Sequence, residues 1–338
     1  MPARMKDIAN DLGLSVVTIS KVLRNHADIS EETRERVLKR MKELNYRPNL
    51  AARALVTGRT HTIGLLVPDL VYPFFGELAK GLARGLRTQD YGLFIASSEE
   101  DPQIERQEIE QMLSRRVDAI VVASAQESAE SFHRLEERKT PYVLVDRKLP
   151  GLPVSFVGID DTAAGALATE HLIQAGCRRI AHIRGPEVST SLGRFEGYRA
   201  ALRQHNLEMP DRYVQTEGTG DEEGELHGCQ AMQKLLALDP PPDGVFCYND
   251  PTAMGALRAI FAAGLRVPDD IAVIGFGNFL YSDLLQVPLS SIDQRSIELG
   301  MKAAELALML IASKKPQPAR TVLLEPRVVA RASTQRRR

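Results

Sequence analysis

The sequence predicts two unlike folds in one chain: a small all-α head over residues 1–46, and an α/β body of two doubly wound parallel-sheet lobes over residues 61–338. Three observations carry this. Apolar residues recur at helical spacing through the head, with cap and turn signals between the runs. From Thr62 onward, short β-branched runs alternate with helical stretches. Charge divides along the same line, since residues 1–60 hold 12 Lys and Arg against 7 Asp and Glu, whereas the remainder holds 31 against 37.

In the head, Met5, Ile8, Ala9 and Leu12 fall at i, i+3, i+4 and i+7, one face of a short helix. Gly13 permits a tight turn, and Ser15 caps a second helix whose apolar face is Ile19, Val22 and Leu23. Val16, Val17, Ser20, Lys21 and Arg24 are left facing outward. Ser30 caps a third helix, with Glu31 and Glu32 on its positive end and Val37, Met41 and Leu44 inside. The first two helices with their glycine turn fit a helix-turn-helix, whose second helix enters the DNA major groove. A basic head on an acidic body likewise points to a polyanion partner for the head alone.

Residues 47–60 read as a linker that can become a helix. Pro48 bars continuation of the helix before it, Asn49 can cap a new one, and Gly58 ends it. Its helix-forming part, Leu50 to Val56, is about seven residues, well below the roughly 12 to 15 an isolated helix needs in water, so it would fold only against a partner.

The body's β-branched runs are Ile63 to Val67, Leu93 to Ala96, Ala119 to Val122, Tyr142 to Val145, Ile180 to Ile183, Val245 to Tyr248 and Ile271 to Ile274. Helical periods such as Leu78, Leu82, Leu86 lie between them, the pattern of right-handed βαβ units buried on both faces. More than seven strands imply two lobes, divided near Val157 to Asp161, with ligands expected at the carboxyl ends of the strands. Ile297 to Ile311 reads as an apolar helix and Thr321 to Ala332 as one last strand.

Composition sets further bounds. At 338 residues and 43% hydrophobic, the chain can build two cores and a small third unit, which excludes a disordered protein. Cys177, Cys229 and Cys247 are odd in number and far apart, so neither a disulfide framework nor a zinc site is expected, and no metal or cofactor. The N-terminus lacks the apolar core of a signal peptide, and no uncharged apolar run reaches membrane-spanning length, so a cytoplasmic protein without a membrane partner is expected. Motifs for an enzyme are wanting: there is no phosphate loop and no G-x-S-x-G elbow, and Gly275-Phe276-Gly277 lacks the rest of a dinucleotide fingerprint.

The runs Met5-Lys6-Asp7-Ile8-Ala9, Gly13-Leu14-Ser15-Val16-Val17-Thr18-Ile19-Ser20-Lys21-Val22-Leu23, Ile29-Ser30-Glu31-Glu32-Thr33-Arg34 and Leu44-Asn45-Tyr46-Arg47-Pro48-Asn49 closely resemble the head of the LacI/GalR (lactose-repressor) family. The resemblance continues through Thr62 to Asp69 and Tyr72-Pro73-Phe74-Phe75, and covers nearly the whole chain. It implies a sequence-specific transcriptional regulator, a repressor binding a palindromic operator as a homodimer. Val16, Val17 and Lys21 match base-reading positions, although packing for the valines and a phosphate contact for Lys21 stay open. Ser15, Thr18, Ser20 and Asn25 match anchoring and phosphate positions. The linker matches the family's hinge helix: Asn49 caps it, Leu55 matches the residue wedged into the minor groove, and Ala52 lies alongside.

For the body the resemblance implies a periplasmic-binding-protein-like pair of lobes, crossed by the chain near 160, 292 and 322. The first lobe then spans 61–158 and 293–320, and the second 161–290 and 322–333. A small-molecule effector, sugar or sugar derivative, would sit between them. Position by position, Tyr72, Phe74, Phe75, Asp146, Arg194, Glu222, Asn249, Gly277, Asn278 and Gln294 fall at effector-contacting places. Plain core for Phe74 or Phe75, a salt-bridging role for Arg194 and an N-cap role for Asp250 stay open. Gly277 and Glu222 depart from the family, which often has an aspartate and a stacking aromatic there. The chain shows no leucine heptads after the last strand, so a dimer is expected over a tetramer. Two other readings are a metabolite-binding or metabolite-converting protein tethered to DNA, and a regulator answering to a partner protein.

Overall fold

The computed structural model describes residues 4–23, 26–46, 54, 58–126, 132–149, 151–216, 224–313 and 315–336. The chain divides into two compact units, Met1–Thr60 and His61–Arg338.

The first unit holds α1 (Met5–Leu12), α2 (Val16–Leu23) and α3 (Glu31–Glu43). Gly13 ends α1 in the left-handed conformation at φ 64°. Two residues on, Ser15 Oγ accepts from Thr18 N at 3.0 Å, so α2 starts at a fixed angle. Ser30 Oγ caps α3 in the same way, accepting from Thr33 N at 3.3 Å. Ile8, Ala9, Ile19, Val22, Val37 and Met41 form the buried centre, two residues from each helix. So small a core needs stitching at its surface, and Arg40 of α3 supplies it by donating Nη2 and Nε to Asp11 Oδ2 of α1 at 2.6 and 2.9 Å.

The second unit begins with β1 (Thr62–Val67), α4 (Pro73–Arg87), β2 (Gly92–Ser97), α5 (Pro102–Ser114), β3 (Ala119–Val122), α6 (His133–Arg138), β4 (Tyr142–Val145) and β5 (Ser155–Ile159). The chain then crosses to a second lobe: α7 (Asp161–Gln174), β6 (Ile180–Arg184), α8 (Ser189–Gln204), β7 (Val214–Thr216), α9 (Gly224–Leu236), β8 (Gly244–Cys247), α10 (Asp250–Ala262), β9 (Ala272–Phe276) and β10 (Ser290–Asp293). α11 (Ser296–Ala312) returns to pack on α4, β11 (Thr321–Leu324) pairs with β5, and β12 (Arg327–Val329) pairs with β10. The first sheet runs β11-β5-β4-β3-β1-β2, all parallel. The second runs β12-β10-β9-β8-β6-β7 and is parallel except for β12.

Both faces of the first sheet are covered. Ile63, Leu65 and Val67 of β1 enter one core with α4 and α11, while Leu66 of the same strand enters another with Ile109 and Met112 of α5. The closeness of α4 and α11 depends on Gly81, where an added Cβ would lie 1.9 Å from Ile297 O.

Three strands fall outside the runs expected from the sequence: β5, β7 and β10. β10 is Ser290-Ser291-Ile292-Asp293, polar by composition yet buried at its first three positions, because its hydroxyls find internal partners. The single strand expected over Thr321 to Ala332 is two strands in different sheets. Hence the third crossing lies at 325–326 and not near 322, and residues 322–324 belong to the first lobe. Pro326 has no N–H for a ladder, so pairing stops there. No described helix is long and apolar enough to cross a membrane.

Candidate DNA-reading face and ligand cleft

In the head, α2 turns Val16 and Val17 outward at 41% and 62% exposure, since Ile19 and Val22 already fill its inner face. That exposure excludes core packing as their role and leaves two apolar side chains on a polar surface. Ser15 and Thr18 hydroxyls bond each other at 2.9 Å at the start of α2. Ser20 lies on the same helix and is hydrogen-bonded or otherwise engaged. Lys21 donates Nζ to Asp28 Oδ2 at 2.5 Å, a partner that helical patterning did not indicate. Arg24, Asn25, Asn49, Ala52, Leu55 and Glu222 lie outside the described residues.

In the second unit a cleft of about 760 Å³ opens between the lobes. Its walls are the loops after β2, β3 and β4 on one side, with Glu100, Ser124, Gln126 and Arg147, and the loop after β6 with the first turn of α8 on the other. This is the carboxyl edge of both sheets, as the parallel topology requires. Lys148 N donates to Ser189 Oγ at 2.8 Å, a direct hydrogen bond from one lobe to the other.

The floor is rigid. Arg147 makes a two-pronged pair with Glu100, Nη1 to Oε2 at 2.7 Å and Nη2 to Oε1 at 2.6 Å. Beneath it the buried Glu105 of α5 accepts from Ser124 Oγ at 2.8 Å and Ala125 N at 2.6 Å, which fixes the loop after β3. Burial pushes the Glu105 carboxyl above its ordinary range, against the pull of these donors and of Arg147.

Arg194 of α8 is not among the residues lining the cleft and is 3% exposed. Its Nε donates to Asp161 Oδ1 at 3.0 Å, its Nη1 to Tyr248 O at 3.0 Å, and its guanidinium lies 3.6 Å from the centre of the Phe276 ring. Its Nη2 has no hydrogen-bond partner among the described residues. Arg194 therefore has a salt-bridging role, and neither N–H of Nη2 is committed among the described residues. Burial works to lower its pKa, and Asp161, Tyr248 and Asp146 together outweigh that, so the guanidinium stays charged. One cation does not offset the burial of two carboxylates: desolvation pushes Asp161 up to about 7 and raises Asp146 as well.

The other expected contacts divide. Tyr72, Phe74 and Phe75 are buried against one another, and all three belong to the first-lobe core. Asn249, not Asp250, caps α10, its Oδ1 accepting from Thr252 N at 2.8 Å. Asp250 is instead a buried anchor, accepting from Phe279 N at 3.0 Å, Ser282 Oγ at 2.8 Å and Ser291 Oγ at 2.6 Å. These bonds fix the loop after β9 and carry Phe279 of the second lobe into the aromatic core of the first. Gly277 takes φ 128°, and a Cβ there would lie 2.6 Å from the Phe279 ring, so any side chain at this position conflicts with that ring.

None of the described residues expected at effector-contacting places is among those lining the cleft, and Asn278 faces elsewhere. Its Oδ1 accepts from Arg331 Nη2 at 2.8 Å, and the residue borders a separate depression with Glu77 and Asp293. Gln294 follows β10 at the second crossing, is 2% exposed, and its Oε1 has no partner among the described residues. Glu100, Ser124, Gln126 and Ser189 line the cleft and were not singled out from the sequence. Position at a strand's carboxyl end is the signal that would have found the first three.

A helix-turn-helix head joined to a two-lobed body with a cleft at its sheets' carboxyl edges defines a DNA-binding regulator with a ligand-binding body. Comparison with known proteins agrees. Residues 4–49 match bacterial regulatory proteins of the lacI family, and residues 60–328 match periplasmic binding proteins and the sugar-binding domain of the LacI family. The chain belongs to the LacI family of transcriptional regulators. It is 36% identical over 332 residues to the HTH-type transcriptional regulator GalR of Escherichia coli K12, covering 98% of this chain and 95% of that protein. Identity to the Escherichia coli K12 ribose operon repressor is 36% over 318 residues, 94% of each chain. Among solved structures, a cellobiose complex of the regulator CelR superposes with TM-score 0.73 at 29% identity, covering 98% of this chain and 99% of that one. The lac repressor dimer bound to operator shares the fold with TM-score 0.85 at 23% identity, each chain 99% covered.

Proposed function

We propose that this regulator is a repressor that holds a palindromic operator as a homodimer, and that a sugar or sugar derivative bound between the lobes sets its operator affinity. The observation that carries the reading is the cleft of about 760 Å³ walled by both lobes and bridged by the Lys148 to Ser189 hydrogen bond. A ligand there touches both lobes at once, so it stabilises one lobe arrangement over another. Operator affinity then shifts by no more than the ligand's preference between those arrangements.

The chemistry of the walls suits a polyol. Glu100 and Gln126 accept or donate to hydroxyls, and Leu149, Pro186 and Val188 offer apolar surface to a ring's C–H face. Arg147 is already neutralised by Glu100; Arg194 Nη2 and Gln294 Oε1, on buried residues that do not line this cleft, each retain hydrogen-bonding capacity. A relative solved with cellobiose supports the same class.

On the DNA side, Val16, Val17 and Lys21 read bases, with apolar contact to thymine methyls for the valines. Ser15, Thr18, Ser20 and Asn25 anchor the helix to phosphates. Residues 47–60 form the hinge, with Asn49 its cap, Leu55 the minor-groove wedge and Ala52 its small neighbour.

A thermal-shift screen of the full chain against neutral sugars, sugar acids and sugar phosphates tests the ligand. A ligand at 100 times its dissociation constant adds about 2.7 kcal/mol of stability. One class that raises the melting temperature and also alters retention of a selected operator duplex supports the reading. A panel without effect on either property refutes it.

A further inference from the structure

Lys21 is the one outward cation described on α2, and the loop after that helix brings a carboxylate to it. Asp28 Oδ2 accepts from Lys21 Nζ at 2.5 Å while its Oδ1 accepts from His26 Nδ1 at 2.7 Å. The loop's described part, residues 26–30, is held in place. His26 N donates to Lys21 O at 3.0 Å, Arg34 Nη2 reaches back to His26 O at 3.1 Å, Ile29 packs on the three-helix core, and Ser30 is tied up capping α3. Asp28 is thus a fixed acceptor, not a side chain that happens to swing past.

This placement carries an electrostatic cost on a surface that meets DNA. A carboxylate beside the reading helix repels phosphates, so the chain loses general DNA affinity by having it. What it gains is a lysine whose flexible four-carbon stem is restrained at its tip. An unrestrained ammonium can settle on any nearby phosphate, because it is a point charge with rotatable donors. An ammonium with one proton committed to Asp28 has two left, and they emerge in a direction set by the protein.

We propose that Asp28 is a specificity-determining positioning residue: by holding the Lys21 ammonium it makes Lys21 a reader of a base edge in the major groove and not a general phosphate contact. The inference rests on the reading above that Lys21 faces the operator.

Binding-site selection by the full chain from a randomised duplex library, followed by sequencing, separates the possibilities when run for the parent, Lys21→Ala and Asp28→Asn. The expected result is that Lys21→Ala removes the preference at one base pair of each half-site. Asp28→Asn should weaken the preference at that same base pair by about fivefold or more, the lower end of what one good base contact contributes. Affinity of Asp28→Asn for a random-sequence duplex should rise, with a salt slope steeper by about 0.9, one added phosphate contact. Asp28→Asn that keeps the full preference at the base pair altered by Lys21→Ala overturns the positioning role while leaving Lys21 as a reader. Lys21→Ala with an unaltered profile overturns both the reading of Lys21 and the inference built on it.

Discussion

Tyr72 of the first lobe and Phe279 of the second meet edge to face, with ring centroids 5.4 Å apart and planes at 89°. Phe279 is 1% exposed and packs inside the core of the lobe to which its own sheet does not belong. A change in lobe arrangement must therefore either carry this ring along or withdraw it. Phe279→Ala should lower stability by about 3–5 kcal/mol, the usual cost of emptying a buried phenylalanine site. Urea unfolding of the body's signal measures it. A loss below about 1 kcal/mol would show that the ring is not structural.

Asp250 holds that ring in place through three donors, so its loss leaves Phe279 N and the hydroxyls of Ser282 and Ser291 without their acceptor. Asp250→Ala should cost about 3 kcal/mol or more, and Ser291→Ala, which removes one of the three, about 1 kcal/mol. Thermal unfolding of the two variants tests the ordering, and equal losses would contradict the anchoring role.

Asp161 gives the body a pH dependence with a defined sign. Burial raises its folded-state pKa to about 7 from the ordinary 3.8. Between these values the folded protein holds a proton that the unfolded chain has released, so this group's contribution to stability is full below about 4 and declines as pH rises to about 7. The melting temperature of the parent minus that of Asp161→Asn should fall across that window. A flat difference would mean that Asp161 is ionised throughout.

Arg194 uses the planar fork of its guanidinium, bonding Asp161 and Tyr248 O from different nitrogens. Lysine keeps the charge and loses the fork, so Arg194→Lys is not a conservative change here. Operator binding without ligand should persist in this variant, while the response to the sugar falls at least about tenfold, measured by operator titration with and without it. A full response would remove Arg194 from the ligand site.

Much of the fold is legible in the sequence because it follows from local rules. Gly13, Ser15 and Ser30 set the head's turn and caps, and four-residue apolar runs such as Ala119 to Val122 are strands wherever both faces are buried. What escapes is governed by partners far away in sequence. Ser290 and Ser291 look like loop residues until Asp250 and Thr334 accept or share their hydroxyl hydrogen bonds. Gly277 reads as a missing acidic ligand, whereas its φ of 128° and the Phe279 ring leave no space for a side chain. In the same way Lys21 reads as a free cation until the loop brings Asp28 to it.

On the proposed function, ligand in the cleft and operator on the head are coupled, and coupling of binding free energies is reciprocal. The most direct test measures the affinity of the sugar identified by thermal shift twice, once for the free full-length protein and once for the protein saturated with its selected operator. The account predicts two different affinities, with the ratio between them equal to the factor by which that sugar changes operator affinity. Equal sugar affinities in the two states would contradict it.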